Sequence, residues 1–123
     1  MSTIYRFTIP SLPKSVNSLY CVNYNTKKIY LSTEGRQFKY TCKMFMPPME
    51  FKEGTKFRIE MGFQRDWFYK NKKPRKADVQ NLIKLLLDSL FEKIGHDDSM
   101  VWELEAFKIQ GEKEETQVII RSL

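Results

Sequence analysis

The spacing of apolar residues changes from strand-like to helical in the middle of this chain, and that change limits the folds open to it. From Phe57 to Phe63, apolar residues alternate with Arg, Glu and Gly, which predicts a strand. From Val79 to Phe91, they recur every three or four positions, which predicts an amphipathic helix. Leu85 and Leu87 widen its apolar stripe, so we expect this helix to be buried on more than one side.

Shorter segments on both sides predict the remaining elements. Further strands are expected at Thr3–Ile9, Tyr20–Val22, Ile29–Leu31, Met100–Ile109 and Thr116–Ile120. The second and third of these resemble a hairpin with a polar loop, and the last two are expected to turn through residues 111–115. Another helix is predicted to begin after Ser32, an N-cap residue, and to end before Pro47. Its buried positions are expected to be Phe38, Cys42 and Phe45.

This order of mixed strands and helices predicts an α/β or α+β fold, in which one mixed β-sheet is packed by two to three helices. The chain has 123 residues, so we expect residues 1–123 to form a single domain. No run of about 18 apolar residues is present, and the first ten residues lack the features of a secretory signal. We therefore expect a cytoplasmic protein that does not contact the membrane.

The two cysteines and the single histidine narrow the chemistry further. Cys21 and Cys42 do not form a metal-spaced pair, which indicates reduced thiols in a cytosol. With His96 as the only histidine, the chain has too few soft ligands for a structural zinc site.

The net charge of +6 is concentrated in one short stretch. Five of the seven residues from Lys70 to Lys76 are basic, whereas the segment from Glu92 to Glu115 has eight acids and three bases. A compact basic stretch favours a polyphosphate partner that meets one face of the protein. A solvated basic loop without a partner is the alternative.

The basic stretch follows three aromatic residues, and this mixture suits contact with phosphates and stacking on unpaired bases. The predicted DNA-binding cations are Lys70, Lys72, Lys73, Arg75 and Lys76, with Lys27 and Lys28 of the hairpin as secondary candidates. Trp67 fits a core position at a strand end equally well, and the same alternative applies to Phe68 and Tyr69.

Polar residues of a type that can hydrolyse phosphodiesters surround the long predicted helix. They are Asp78, Gln80, Asn81, Lys84, Asp88, Asp97 and Asp98. Carboxylates hold a hard divalent cation, which activates water and neutralises charge on the phosphate. A nearby lysine can stabilise the transition state. Each residue also has a simpler interpretation: Asp78 as a helix N-cap, Lys84 and Asp88 as a surface pair, and Asp97 with Asp98 as a turn.

The same stretch resembles the signature of the RusA family of Holliday junction resolvases. That signature has Asp-x-Asp-Asn-Leu-x-Lys, then Asp-x-Leu, a glycine, a paired Asp-Asp and an apolar strand ending in Lys. The matching residues here are Asp78, Asn81, Leu82, Lys84, Asp88, Leu90, Gly95, Asp97, Asp98 and Lys108. Pro10–Asn17 and Ser32–Gly35 resemble two further family features, so the resemblance spans most of the chain.

The resemblance implies a RusA-like fold and an intimate homodimer that binds four-way DNA junctions and makes paired symmetric nicks. It implies a role in DNA recombination and repair, in a bacterial nucleoid or a phage-infected host. The implied cofactor is Mg²⁺, with Mn²⁺ as the alternative ion. Asp78 and Asp98 would be metal ligands, Lys84 an electrostatic helper, Asp97 a supporting ligand and Asn17 a polar residue near the site.

One residue departs from the family pattern. Gln80 stands where the signature has its second Asp, and its neutral carbonyl oxygen removes one negative charge from the metal site. The site can then work with weaker metal binding, or Asp97 can compensate. The third interpretation is a protein that binds junctions with weak or no cleavage. Selectivity for flaps or forks, or a basic interaction protein without a nucleic-acid role, are further alternatives.

The length of the predicted helix suggests an active site shared between two subunits. Residues 79–93 would span about 22 Å as a helix, and few residues remain to bring Asp98 back to Asp78. Antiparallel pairing of this helix with its two-fold mate would place the start of one beside the end of the other and bury the stripe widened by Leu85 and Leu87. The alternative is a helix that ends near Asp88, with both acids in one chain.

Overall fold

A computed structural model describes residues 2–16 and 19–123 of the chain. Its strands are β1 (Ile4–Ile9), β2 (Tyr20–Asn23), β3 (Lys28–Leu31), β4 (Phe57–Arg65), β5 (Val101–Gln110) and β6 (Glu115–Ser122). Its helices are α1 (Thr33–Phe45) and α2 (Gln80–Ile94), and Asp98–Met100 form a 3-10 turn. The fold is therefore α+β, with helices against a mixed sheet, as the sequence predicts.

The main sheet has the order β1-β6-β4-β5, and the second sheet is the predicted β2–β3 hairpin. β6 is antiparallel to both of its neighbours, whereas β4 and β5 are parallel. Parallel neighbours need a crossover connection, and α2 supplies it. The predicted turn between β5 and β6 is present, but it does not make a hairpin because β4 lies between the two strands.

The core lies between the main sheet and the two helices. One face of β4 contributes Phe57, Ile59, Met61 and Phe63, all with no exposed surface, as the alternation predicts. Leu85 of α2 is also fully buried, whereas Leu87 is half-buried. The wide apolar stripe of α2 is thus covered mainly by its own chain. The helix is therefore buried over a wide face, as the sequence predicts, and Leu85 is covered without a partner subunit.

The ends of α1 follow from its sequence. The Ser32 hydroxyl accepts a hydrogen bond of 3.2 Å from the Gly35 amide, as expected of an N-cap. A Cβ atom on Gly35 would lie 2.9 Å from the Leu31 side chain, so the close packing here requires glycine. Phe45 is 48% exposed, which contradicts its predicted burial. Met46, four residues after Cys42, takes the core position instead.

Candidate active site

Asp78 lies just before α2 and does not cap it. The residue at the N-cap position is Val79, which has helical dihedral angles and forms no side-chain capping bond. Only the main-chain carbonyl of Asp78 is engaged, by the Asn81 amide at 3.0 Å. Within residues 2–16 and 19–123, its exposed carboxylate has no hydrogen-bond or ion-pair partner. The simple interpretation of Asp78 as an N-cap is therefore wrong, and this carboxylate is available to a ligand.

Gln80 and Lys84 follow on exposed positions of α2. Lys84 Nζ lies 3.4 Å from Asp88 Oδ2, which is the surface pair that the spacing allows. The negative charge of Asp88, and then the nearby phenol of Tyr20, raise the pKa of Lys84. Lys84 is therefore a firmly cationic group close to the start of α2.

Tyr20 is a neighbour of this site that sequence reasoning missed. It begins β2, and its phenol approaches Lys84 of α2. The hairpin thereby comes against the first turns of α2. The sequence does not predict this contact, because the alternation of apolar residues in a hairpin does not indicate which helix lies next to the hairpin.

The two acids after α2 have different surroundings. Asp97 Oδ1 accepts a hydrogen bond of 2.8 Å from the Ser99 amide and caps the 3-10 turn. That backbone hydrogen bond is the main reason that the pKa of Asp97 is below its usual range. Asp98 is exposed in the first turn of the same short helix. The turn interpretation thus holds, with Asp97 as the cap of the turn and Asp98 as an exposed acid within it.

Asp78 and Asp98 lie at opposite ends of the β4–α2–β5 crossover. Ala77 borders one cavity together with Arg65 and Trp67, at the carboxyl end of β4. Asp98 precedes Val101, which pairs with Phe57 at the amino end of β4. The 15 residues of α2 separate the two ends by about 22 Å. The alternative of a helix that ends near Asp88 is wrong, because α2 continues to Ile94.

The basic segment before Asp78 begins on a buried tryptophan. Trp67 is 6% exposed, and its Nε1–H donates to the carbonyl oxygens of Phe63 at 3.1 Å and Ile109 at 3.0 Å. Lys108, which matches the last lysine of the signature, lies over its ring at 4.6 Å. The core interpretation of Trp67 is therefore correct, and this ring is not available for stacking on DNA.

Residues 68–74, which we call the basic loop, fold into a small closed hairpin. The Tyr69 amide donates to the Lys73 carbonyl at 2.9 Å, and the Lys72 amide donates to the Tyr69 carbonyl at 2.8 Å. Phe68 and Pro74 form an isolated bridge. Lys70, Lys72 and Lys73 are exposed at the tip, and half of the Tyr69 surface is exposed. Three of the five cations predicted in this segment thus share one element with two exposed aromatic rings.

Arg75 has a second role at the base of this loop. Its Nε donates to the Asp66 carbonyl at 3.0 Å, and its guanidinium lies over the Tyr69 ring at 4.6 Å. Arg75 is half-buried, whereas Lys76 is exposed. Arg75 therefore holds the loop in place, and Lys76 is the freer cation beside Asp78.

With this geometry described, comparison with known proteins adds the family. Residues 12–121 match the family described as Endodeoxyribonuclease RusA. The chain belongs to the RusA family. This membership implies Holliday junction resolvase activity, and with it DNA binding, phosphodiester hydrolysis and a part in recombination. No individual curated protein gives a significant match.

Resolvase nucleases such as RusA generally depend on divalent metals, and the donors here suit that chemistry in part. The exposed Asp78 carboxylate and the Gln80 carbonyl are hard oxygen ligands at the start of α2. However, no group of three His, Cys, Asp or Glu side chains converges anywhere in the described parts of the chain. Among the described residues, Asp78 and Gln80 are therefore hard oxygen donors that lie outside any cluster of three acidic, thiol or imidazole side chains.

The remaining predicted residues of this RusA protein lie apart from α2. Lys27 and Lys28 are exposed at the turn between β2 and β3, where Lys27 has a positive φ of 56°. Asn17 lies outside the described residues. None of the helices within residues 2–16 and 19–123 is long and apolar enough to cross a membrane.

Proposed function

We propose that this protein is a Mg²⁺-dependent endonuclease that resolves four-way DNA junctions by paired symmetric cuts, and that it acts as a homodimer. The observation that carries the proposal is the uncapped, exposed carboxylate of Asp78 between the basic loop and Lys84. No hydrogen bond or ion pair within the described residues engages this carboxylate, so it is open to a metal ion. Membership of the RusA family supplies the substrate class.

We further propose that each active site is shared between two subunits. Asp78 and Gln80 of one subunit would hold the metal together with Asp98 of the partner subunit, because the acids of one chain lie at opposite ends of α2. Asp97 would support Asp98 by ordering the turn that presents it. Mn²⁺ is the alternative ion, since it accepts the same oxygen ligands.

Different residues of the chain would bind the DNA and stabilise the charge that develops during cleavage. A bound divalent cation supplies an activated water and neutralises phosphate charge. Lys84, held cationic by Asp88, would stabilise the negative charge that develops on the phosphate oxygens. Lys70, Lys72, Lys73 and Lys76 would contact backbone phosphates, and the exposed rings of Phe68 and Tyr69 would stack on bases at the branch point.

Gln80 favours a second candidate function, which is junction binding with weak or no cleavage. Its side chain is exposed in the first turn of α2, and an amide there gives the metal one charge less than a carboxylate would. DNA binding would be unaffected, because the basic loop does not depend on Gln80.

A cleavage assay on a labelled four-way junction tests the proposal. We expect paired nicks with Mg²⁺ and none with a chelator. The Asp78→Asn variant should bind the junction without cutting it. The Glu112→Gln variant, which removes an acid from the exposed β5–β6 turn, should cut the junction normally. If the unaltered protein binds the junction but does not cut it, the second candidate function is established. A protein that prefers linear duplex to junctions would contradict both candidates.

A further inference from the structure

Two cavities that share lining residues extend from the start of α2 to one side of α1, and we call them together the groove. The first part is a cavity of about 610 Å³ between α1 and the segment after β1. The second is a cavity of about 310 Å³ bordered by Trp67, Ala77 and Leu82. Leu12 and Lys14 line both cavities, so Lys14 lies where they meet. The groove therefore begins one residue from Asp78 and continues along α1.

The side of α1 that faces the groove consists mostly of hydrogen-bond donors. Positions three and four apart on a helix share a face, and the lining residues follow that spacing. The donors that line the first cavity are Lys14, Thr33, Arg36, Gln37, Tyr40 and Thr41. Basic, hydroxyl and amide side chains are the groups that contact DNA phosphates and sugars. The lining is therefore suited to a phosphate backbone.

The two sides of α1 differ in how their cations are engaged. On the side that faces α2, Lys39 and Lys43 both pair with Glu92, at 3.0 and 2.8 Å. On the groove side, Lys14 and Arg36 make no ion pair with any residue that the structure describes, and Arg36 only donates to the Thr33 hydroxyl at 3.3 Å. These two cations are available to an external anion.

Two acids also line the groove, but they do not cancel the positive charge of Lys14 and Arg36. Glu114 lies 3.9 Å from Arg65, so these two charges offset each other. Glu34 lies in the first turn of α1, where the helix dipole favours a negative charge. The groove thus keeps a net positive charge at Lys14 and Arg36.

We propose that this groove holds the phosphate backbone of the DNA strand that leaves the cleavage site, which passes Lys14 and then follows α1. The inference rests on the proposed function, because the strand must first reach Asp78. From Thr33 to Thr41 the helix rises about 12 Å, which corresponds to roughly three or four phosphates at 3.4 Å each. This binding surface is separate from the basic loop and would orient one junction arm.

Salt dependence of binding tests the proposal, with catalysis blocked by a chelator. Lys14→Ala/Arg36→Ala should reduce the slope of log affinity against log salt by about 1.4 to 1.8, because each phosphate that is no longer neutralised accounts for about 0.7 to 0.9. The matched control is Lys52→Ala/Lys56→Ala, which removes the same charge beside a different cavity. The control should keep most of the slope. An equal reduction in both variants would overturn the groove and indicate a general effect of net charge.

Shortening one DNA strand provides a second measurement. The unaltered protein should lose affinity when the strand on the exit side is cut back by three or four nucleotides, whereas the affinity of the Lys14→Ala/Arg36→Ala variant should be nearly unaffected by the same shortening. Equal sensitivity in both proteins would overturn the inference. The proposed function is judged separately, by whether the unaltered protein prefers junctions to linear duplex and cuts them.

Discussion

Gln110 and Asp66 are joined by a hydrogen bond of 3.0 Å from the Gln110 Nε2 to the Asp66 Oδ1. The Gln110 carbonyl oxygen also accepts from the Trp67 amide at 3.0 Å. The last residue of β5 therefore fixes the two residues that precede the basic loop. Because Gln110 is the main cause of the low pKa of Asp66, that carboxyl reports on whether the connection is made.

We expect Gln110→Leu to loosen the basic loop without changing the net charge. Junction affinity should fall several-fold, amide exchange at Tyr69 and Lys72 should accelerate, and the pKa of Asp66 should rise towards its usual value in an NMR titration. Gln117→Leu, at an exposed position of β6, is the control and should change none of these. If amide exchange is unchanged in Gln110→Leu, the basic loop is ordered without its contacts to β5.

Binding to DNA should depend steeply on salt through the tip of the basic loop. We expect Lys70→Ala/Lys73→Ala to reduce the log–log salt slope by about 1.4 to 1.8, the value for two phosphates that are no longer neutralised. Lys72 is left unchanged so that both substitutions fall at positions without a positive φ. Arg75→Ala should also speed amide exchange in the loop, since Arg75 holds its base. If the double substitution leaves the salt slope unchanged, the DNA-binding surface lies elsewhere on the protein.

Restoring a carboxylate at position 80 should strengthen metal binding. Gln80→Asp adds a charged oxygen ligand, so cleavage should need less Mg²⁺ and run faster when metal is limiting. Gln80→Ala should have the opposite effect, whereas all three proteins should bind junctions equally in a chelator. A metal titration of the cleavage rate makes the comparison. Identical titration curves for Gln80→Asp and the unaltered protein would remove Gln80 from the proposed metal site.

Mixed dimers distinguish a shared active site from one within a single chain. Asp78→Asn and Asp98→Asn subunits, co-expressed with different tags, should each be inactive alone. In a mixed dimer, a shared arrangement leaves one site with both acids intact, and we expect a single nick on each junction. If each site were built within one chain, every site in the mixed dimer would lack an acid. Inactive mixed dimers would therefore reject the shared site.

The packing of α1 against α2 should weaken in acid. Glu92 accepts hydrogen bonds from Lys43 and Lys39, which lower its pKa below the usual range. A lowered pKa in the folded state means that the stabilisation is complete above the usual glutamate pKa and is lost as the pH falls through the folded value.

We therefore expect Glu92→Gln to lower the free energy of unfolding at neutral pH by up to about 1 kcal/mol, the range for exposed ion pairs. The difference from the unaltered protein should vanish in acid. Denaturant unfolding at several pH values measures this difference. Glu53→Gln, which changes an exposed acid without an ion pair in the described chain, should show no such trend. A difference that is constant across pH would assign the effect to something other than the charge of Glu92.

The sequence predicted most elements because apolar spacing records which face of a strand or helix is buried. Alternation from Phe57 to Phe63 and the left-handed Gly95, with a φ of 78°, are clear cases. Spacing does not record which element supplies the burial, so it missed the position of β4 between β5 and β6. It also missed the approach of Tyr20 to Lys84.

Within the site, residue type alone could not separate structural from available groups. Asp78 and Asp97 are both acids beside a helix, yet of their two carboxylates only that of Asp97 accepts a hydrogen bond from a backbone amide among the described residues. Trp67 and Tyr69 are neighbouring aromatics, yet only Tyr69 is exposed. The first distinction depends on the local geometry of the 3-10 turn, and the second depends on carbonyls near the ends of β4 and β5. They therefore required three-dimensional information.

The place of β6 between β1 and β4 also sets the order in which the molecule can be built. β1 is made about a hundred residues before β6, which is its neighbour in the sheet among the described residues. At roughly 5 to 20 residues per second, translation delivers that neighbour on the order of ten seconds later. During this interval, the nascent chain carries the unpaired edges of β1 and β4. A chaperone that shields these strands on the ribosome would therefore have its largest effect before residues 115–122 emerge.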